Sequence, residues 1–254
     1  MSDSIKNQWE ANAQAFSDLI GGQGTPHHQH ILIPCLDSMM GNVKGKKILD
    51  AGCGEGYLSR RYAKKGATVT GVDISNKLIE LCKKDAIENT TFFAGDICNL
   101  ASFSDNSFDT VISNLVLLNV PCFTEALQEF YRVLNPRGFL IFSIVHPAFN
   151  FYGPGTWEMG QKNPETKRRE GLFFKVDNYF AEREYQRFWK TRQGEKFPVP
   201  ISFFHRTIST YVEAVVRAGF RIAQMEEPQP ATDDDFFDRE RRIPFFLVVK
   251  ADKP

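Results

Sequence analysis

The chain has 254 residues, enough for one α/β domain with an insertion or a small cap. Its 31 Lys and Arg match its 31 Asp and Glu, so the formal net charge is zero and gives no electrostatic case for a nucleic-acid or anionic-membrane partner. No run of 18 apolar residues occurs and the first residues hold no apolar signal core, so neither a membrane span nor a leader is expected. Cys35, Cys53, Cys82, Cys98 and Cys122 are odd in number, scattered and without a CxxC pair. That usage predicts a reduced, cytoplasmic protein with no metal. The 23 phenylalanines, many of them late in the chain, fit an apolar pocket or lid and equally a Phe-rich core.

Residues 1 to 24 read as a short helix ending in the loop Gly21-Gly22-Gln23-Gly24, and His30 to Met40 as a second helix. Strand and helix then alternate. Strands are predicted at Lys47–Asp50, Ala67–Asp73, Thr91–Asp96, Phe108–Ser113 and Gly138–Val145. Helices are predicted at Tyr57–Lys65, from the Ser75 cap to Asp85, and at Cys122–Leu134. Short apolar strands alternating with helices predict a parallel, doubly wound sheet. From Pro147 to Phe204 glycines, prolines and aromatics break the pattern, and a segment that long predicts a functional lid. A helix at Thr207–Ala218 and strands at Phe220–Glu226 and Phe245–Ala251 close the chain. The acidic link Asp233-Asp234-Asp235 reads as a solvated loop. The expected division is 1–43, a helical segment over the site; 44–146, the core; 147–204, the lid; and 205–254, the end of the core sheet.

The run Asp50-Ala51-Gly52-Cys53-Gly54-Glu55-Gly56 follows the first strand. Glycines there let the backbone turn tightly and approach a ligand, and the next helix offers free N–H groups. Asp73 ends the second strand, 21 positions after Gly52, where a carboxylate can accept from both hydroxyls of a ribose. Asp96 ends the third strand and could accept from an adenine amino group, with Ile74 and Ile97 as apolar walls; the structural alternative for either acid, the weaker of the two readings, is a helix cap or solvated loop. The loop is G-x-G-x-G with Tyr57 next, not the dinucleotide G-x-G-x-x-G, which argues against NAD.

The stretch Ile48-Leu49-Asp50-Ala51-Gly52-Cys53-Gly54-Glu55-Gly56 closely resembles motif I of class I S-adenosylmethionine (SAM)-dependent methyltransferases. Val69 to Ser75 and Phe108 to Asn114 resemble that family's second- and fourth-strand motifs. Leu134-Asn135-Pro136-Arg137-Gly138 resembles its L-x-P-G-G turn, with Arg137 in place of the first glycine. Trp9-Glu10-Ala11-Asn12-Ala13 with Phe16 is similar to the lead segment of the small-molecule branch that includes quinone-biosynthesis C-methyltransferases. The resemblance implies a Rossmann-like seven-stranded, mostly parallel sheet with helices on both faces, an antiparallel last strand, and an N-terminal segment folding over SAM. It implies SAM contacts from Phe16, Asp50, Ala51, Gly52, Cys53, Gly54, Tyr57, Asp73, Ile74, Asp96, Ile97, Asn114 and Leu115, with S-adenosylhomocysteine (SAH) as product.

Methyl transfer from a sulfonium asks for positioning, desolvation and sometimes proton removal, and in principle no metal. His146, at the carboxyl end of the fifth strand, is the first candidate for a base or acceptor contact, against a structural role bonding the loop backbone. Tyr152, Trp157, Tyr179, His205 and Arg206 are further candidate substrate contacts; Arg206 could hold an acidic group or simply brace the lid. His27, His28 and His30 are closely spaced, with no carboxylate partner evident. The expected acceptor is a small, partly apolar molecule. The rivals are an RNA or protein methyltransferase using a basic face at Lys162, Lys167, Arg168 and Arg169, a non-catalytic SAM binder, and an NAD enzyme. The absence of an N-P-P run after the fourth strand argues against amino methylation of adenine or glutamine. The sequence sets neither the acceptor atom nor the oligomeric state.

Overall fold

Period-two burial on the central strands sets the architecture. On β1 (Lys47–Ala51), Ile48 packs to one side while Leu49 and Ala51 pack to the other, all fully buried. The same split recurs on β4 (Phe108–Asn114), with Val111 against Ile112, and on β5 (Leu134–Val145), with Leu140 and Phe142 against Ile141. Strands buried on both faces belong to a sheet covered by helices on both sides. One side is closed by α5 (Phe123–Val133) and α6 (Ile208–Arg217), the other by α2 (Ile33–Met40) and α3 (Tyr57–Lys64).

The computed structural model describes residues 2–150, 152–165 and 169–254. Lys167 and Arg168 of the predicted basic face therefore lie outside the described residues. The remaining strands are β2 (Thr68–Asp73), β3 (Thr90–Ala94), β6 (Gly155–Lys162), β7 (Arg169–Val176), β8 (Arg183–Arg187), β9 (Ile201–His205), β10 (Arg221–Glu226) and β11 (Phe246–Asp252). The main sheet has seven strands in the order β10-β11-β5-β4-β1-β2-β3, with β11 antiparallel to both neighbours. This is the Rossmann-like arrangement expected.

Local chemistry explains the element ends. Ser75 caps α4 (Asn76–Lys84), its Oγ accepting from the Leu78 N–H at 3.2 Å, and Thr207 caps α6 through the Thr210 N–H at 3.1 Å. Arg137 takes the left-handed φ of +64° at the turn where the family pattern carries glycine. The turn does not precede β5 as expected: β5 starts at Leu134 and absorbs it as an irregularity in the pairing with β4.

The 147–204 segment is not a structureless loop. It forms two antiparallel hairpins, β6–β7 and β8–β9, the second sharing β9 with the start of the C-terminal part. Helix α1 (Ser2–Ile20) braces this insertion against the core. Asn12 pairs by its amide with the backbone of Val199, donating to its carbonyl and accepting from its N–H, both at 3.1 Å. On the same helix Glu10 accepts from the Asn76 and Lys77 N–H groups at the start of α4. Burial alone would raise the Glu10 pKa, but those bonds outweigh it and lower it. Among the described residues, no helix is long and apolar enough to cross a membrane.

Candidate functional site

A cavity of about 600 Å³ opens at the carboxyl ends of the parallel strands, under α1 and the insertion. Ligands of open α/β sheets bind on this side. Its floor is the loop after β1. Gly52 has φ +81°, and a Cβ there would lie 2.4 Å from Val116, so only glycine fits. Gly54 has φ +58° and faces the Phe16 ring, where a Cβ would come within 3.0 Å.

Asp73 clamps that loop. Its Oδ2 accepts from the Gly54 N–H at 2.9 Å and its Oδ1 from the Ser75 N–H at 3.0 Å. Burial pushes its pKa up to about 6, against the pull of these bonds. A carboxylate has roughly four lone-pair sites, so each oxygen can still accept from a further group in the cavity. Ile74, Leu78, Asp96 and Ile97 continue the wall beyond it.

At the end of β4, Asn114 accepts from Ser143 Oγ at 2.6 Å and donates to the Tyr57 hydroxyl at 2.9 Å. Burial, then the nearby Asp50 charge, raises the Tyr57 pKa well above its ordinary value, so the phenol stays protonated. Leu115 follows with φ +57°, a left-handed conformation uncommon for a branched apolar residue, held by its N–H bond to the Ser143 carbonyl at 3.0 Å. Phe16, Gly52, Cys53, Gly54, Tyr57, Asp73, Ile74, Asp96, Ile97, Asn114, Leu115, Tyr152 and Trp157 all line the cavity.

Other candidates do not. Asp50 and Ala51 lie behind the loop: Asp50 accepts from Ser59 Oγ at 2.6 Å, and the Ala51 carbonyl accepts from Ser113 Oγ at 3.0 Å. His146 is buried outside the cavity lining, with Nε2 bonded to Glu227 at 2.8 Å and Nδ1 accepting from the Ala148 N–H at 3.2 Å. Its structural reading prevails over the role of base. Tyr179 and His205 tie the insertion together, His205 Nε2 lying 2.7 Å from the Tyr179 carbonyl and the Tyr179 hydroxyl accepting from the Ile208 N–H. Arg206 donates to the carbonyls of Leu117, Val120 and Pro121 and covers the Phe123 ring at 4.1 Å, so it braces the fold.

Two relationships are not visible in the sequence. His27 does have a carboxylate partner: its Nε2 lies 2.7 Å from Glu240 Oε1, 213 positions away, and both residues line the cavity. Cys98 and Cys122 are joined in a disulfide, contrary to the expected set of free thiols, while Cys35, Cys53 and Cys82 are free. With Asp96 these two sulfurs form a cluster of metal-ligand types, but sulfurs bonded to each other are not thiolate ligands.

The cradle suits SAM. A floor closed to any Cβ at Gly52, with spare carboxylate lone pairs at Asp73, matches a nucleoside amino acid lying along the loop. SAM supplies an electrophilic methyl group on a sulfonium. Strand order, loop and carboxylates together define a class I SAM-dependent methyltransferase.

Comparison with known proteins agrees. Residues 49–142 match the family described as Methyltransferase domain. An uncharacterized protein of Haemophilus influenzae is 32% identical over 233 residues, 87% of this chain and 86% of that one. The structure of a putative S-adenosylmethionine dependent methyltransferase from Listeria monocytogenes superposes with a TM-score of 0.71 at 27% identity, covering 92% of this chain and 99% of that one. A demethylmenaquinone methyltransferase of Staphylococcus epidermidis is 41% identical over 110 residues; the match spans 41% of this chain and 45% of that relative. The chain belongs to the SAM-dependent methyltransferases, and SAM is its cofactor.

Proposed function

We propose that the chain transfers the SAM methyl group to a small, partly apolar molecule bound under the 147–204 insertion. The observation that carries this reading is the cavity itself. Its lining brings Gly52, Gly54 and Asp73 together with the aromatic residues Tyr152, Trp157, Trp189, Phe245 and Phe246. In this reading Asp73 holds the ribose, Asp96 and Ile97 the adenine, and the Gly52–Gly54 loop the aminoacyl end, with Asn114 and Leu115 facing the methyl group. Residues 1–43 cover the donor, 44–146 and 205–254 make the core, and 147–204 is the lid.

A small acceptor fits better than a macromolecule. Lys162 and Arg169 of the predicted basic face stand on the outer hairpin and do not line the cavity, which is mostly apolar. The partial likeness to a demethylmenaquinone methyltransferase points the same way. Calorimetry with SAH tests the donor half, with binding expected and its absence refuting the reading. Transfer of labelled methyl from SAM, screened over small aromatic acceptors and bulk RNA, tests the acceptor half. Label appearing in RNA alone would overturn the small-molecule assignment.

A further inference from the structure

We propose that His27, backed by Glu240, is the general base of the acceptor site and takes the proton from a hydroxyl of a small aromatic acceptor as that oxygen is methylated. This rests on the reading of the cavity as a SAM and acceptor site.

Three observations carry the proposal. The first is geometry. His27 Nε2 pairs with Glu240 Oε1 at 2.7 Å, which fixes the proton of a neutral imidazole on Nε2 and leaves Nδ1 with its lone pair. Among the described residues no hydrogen bond occupies Nδ1, and the side chain keeps 28% of its exposure while Glu240 keeps 2%. The ring stacks on Phe245 (5.9 Å between centroids, 8° between planes). The neighbouring Phe246 pairs with Val145 at the end of β5, two residues beyond the Ser143 that holds Asn114. His27 thus stands beside the strand ends where the methyl group is placed.

The second is unmet bonding. Glu240 Oε2, Trp157 Nε1 and Trp189 Nε1 are buried atoms without a hydrogen-bond partner among the described residues, and all three residues line the cavity. Buried polar groups are seldom left unpaired. One free acceptor and two free donors among aromatic walls match a flat molecule carrying a hydroxyl.

The third is elimination. Among the described residues, His27 and His28 are the histidines lining the cavity. His28 Nδ1 already lies 3.1 Å from the Thr25 N–H and 2.7 Å from its hydroxyl. Burial, then His27, lowers its pKa to about 4, so it is a weak base. Tyr57 stays protonated, and its hydroxyl already accepts from the Asn114 amide at 2.9 Å.

In the step, an acceptor oxygen lone pair forms the bond to the methyl carbon as the carbon–sulfur pair returns to sulfur. The acceptor proton passes to His27 Nδ1, and Glu240 stabilises the resulting imidazolium. The proton then leaves to solvent, so the products are methyl ether, SAH and one proton. Among the described residues, the ionisable groups recorded against His27 are Glu240 from the C-terminal connection and His28 on its own element, with Arg239 elsewhere in the cavity lining; the rings of Phe236, Phe237, Phe245 and Phe246 around it are uncharged.

The test uses the full chain loaded with SAH and 4-nitrocatechol, a phenol whose colour reports its ionisation. Wild type should bind both and ionise the bound phenol at lower pH than buffer does. H27Q and E240Q should keep SAH affinity within about twofold and lose that spectral shift. Transfer of labelled methyl to the phenol should fall about a hundredfold or more in H27Q, the scale of a lost general base. Replacing Glu240 by neutral glutamine removes support for the imidazolium, so the acid limb of kcat/KM should move to lower pH in E240Q and return in E240D. E240Q keeps the side-chain shape, so it reads the pair even where H27Q does not fold. Wild type failing to bind SAH would remove the methyltransferase reading itself. With SAH bound, a phenol that does not bind, or that ionises alike in wild type and E240Q, would overturn the base assignment alone.

Discussion

The Asp73 carboxylate accepts from the Gly54 N–H at 2.9 Å, tying the end of β2 to the loop after β1 before any ligand arrives. A group that shapes the loop and, in the reading proposed above, holds the ribose should be costly to remove. D73A is expected to weaken SAH binding at least tenfold, because a hydrogen bond to a charged group contributes about 1.5–3 kcal/mol and about 1.4 kcal/mol is tenfold in affinity. D73N keeps an acceptor but loses the charge and should fall between. Calorimetry with SAH measures both; equal affinity for wild type and D73A would remove Asp73 from the ribose site.

Gly52 makes a separate prediction. Its φ is +81°, and any Cβ at this position would lie 2.4 Å from the Val116 side chain, so alanine there meets both backbone strain and a clash. G52A should lose SAH binding by about tenfold or more and lower Tm, with strain of about 1–3 kcal/mol. G52A/V116A removes the two closest contacts but leaves the residue-116 Cβ 3.0 Å away and the strain in place, so it should recover part of Tm only. Full recovery would show that the backbone conformation does not matter.

The same loop shows what a sequence can reveal. Strand–loop–helix order, the acid at position 73 and the capping Ser75 are local signals, and each stands where its pattern predicts. Strands β6 to β8 carry no such signal, because their faces are largely exposed and no period-two apolar pattern marks them. Asp50 sits in the glycine motif yet faces α3, because alternation along β1 turns it to the side of Ile48. The His27–Glu240 pair spans 213 positions and runs through a connection that composition marks as a solvated acidic loop. No local pattern announces such a pair; only the closing of β11 onto β5 brings its ends together.

Asp50 yields a pH prediction. It is 2% exposed. Burial lifts its pKa from 3.8 to about 7, with the Asp73 and Glu55 charges adding to the rise and Ser59 opposing it. A carboxyl raised in the folded state binds a proton there that the unfolded chain has released. Its contribution is fully present below 3.8 and is lost as pH rises through about 7. D50N carries no such proton and keeps an acceptor for Ser59. Its stability relative to wild type should therefore rise across that window, by up to about 4 kcal/mol. Denaturant unfolding at a series of pH values measures it, and a flat difference would refute the shift.

The Cys98–Cys122 disulfide predicts a redox effect on both stability and donor binding. Cys98 follows Ile97 on the cavity wall after β3, and Cys122 lines the same cavity at the start of α5. The bridge thus joins two loops that flank the proposed adenine end. Alkylation of denatured protein never exposed to reductant should mark Cys35, Cys53 and Cys82, and after reduction all five cysteines. Opening a cross-link over a separation of 24 residues releases chain entropy of about 3 kcal/mol in the loop-closure account. Tm should fall by several degrees on reduction and equally in C98S. SAH affinity should also drop a few-fold, because the donor must then order a wall that the bridge holds in place. If C98S lowers Tm but binds SAH as wild type does, the bridge stabilises the fold without shaping the site. If all five thiols alkylate without reductant, the two cysteines are not joined in the isolated protein.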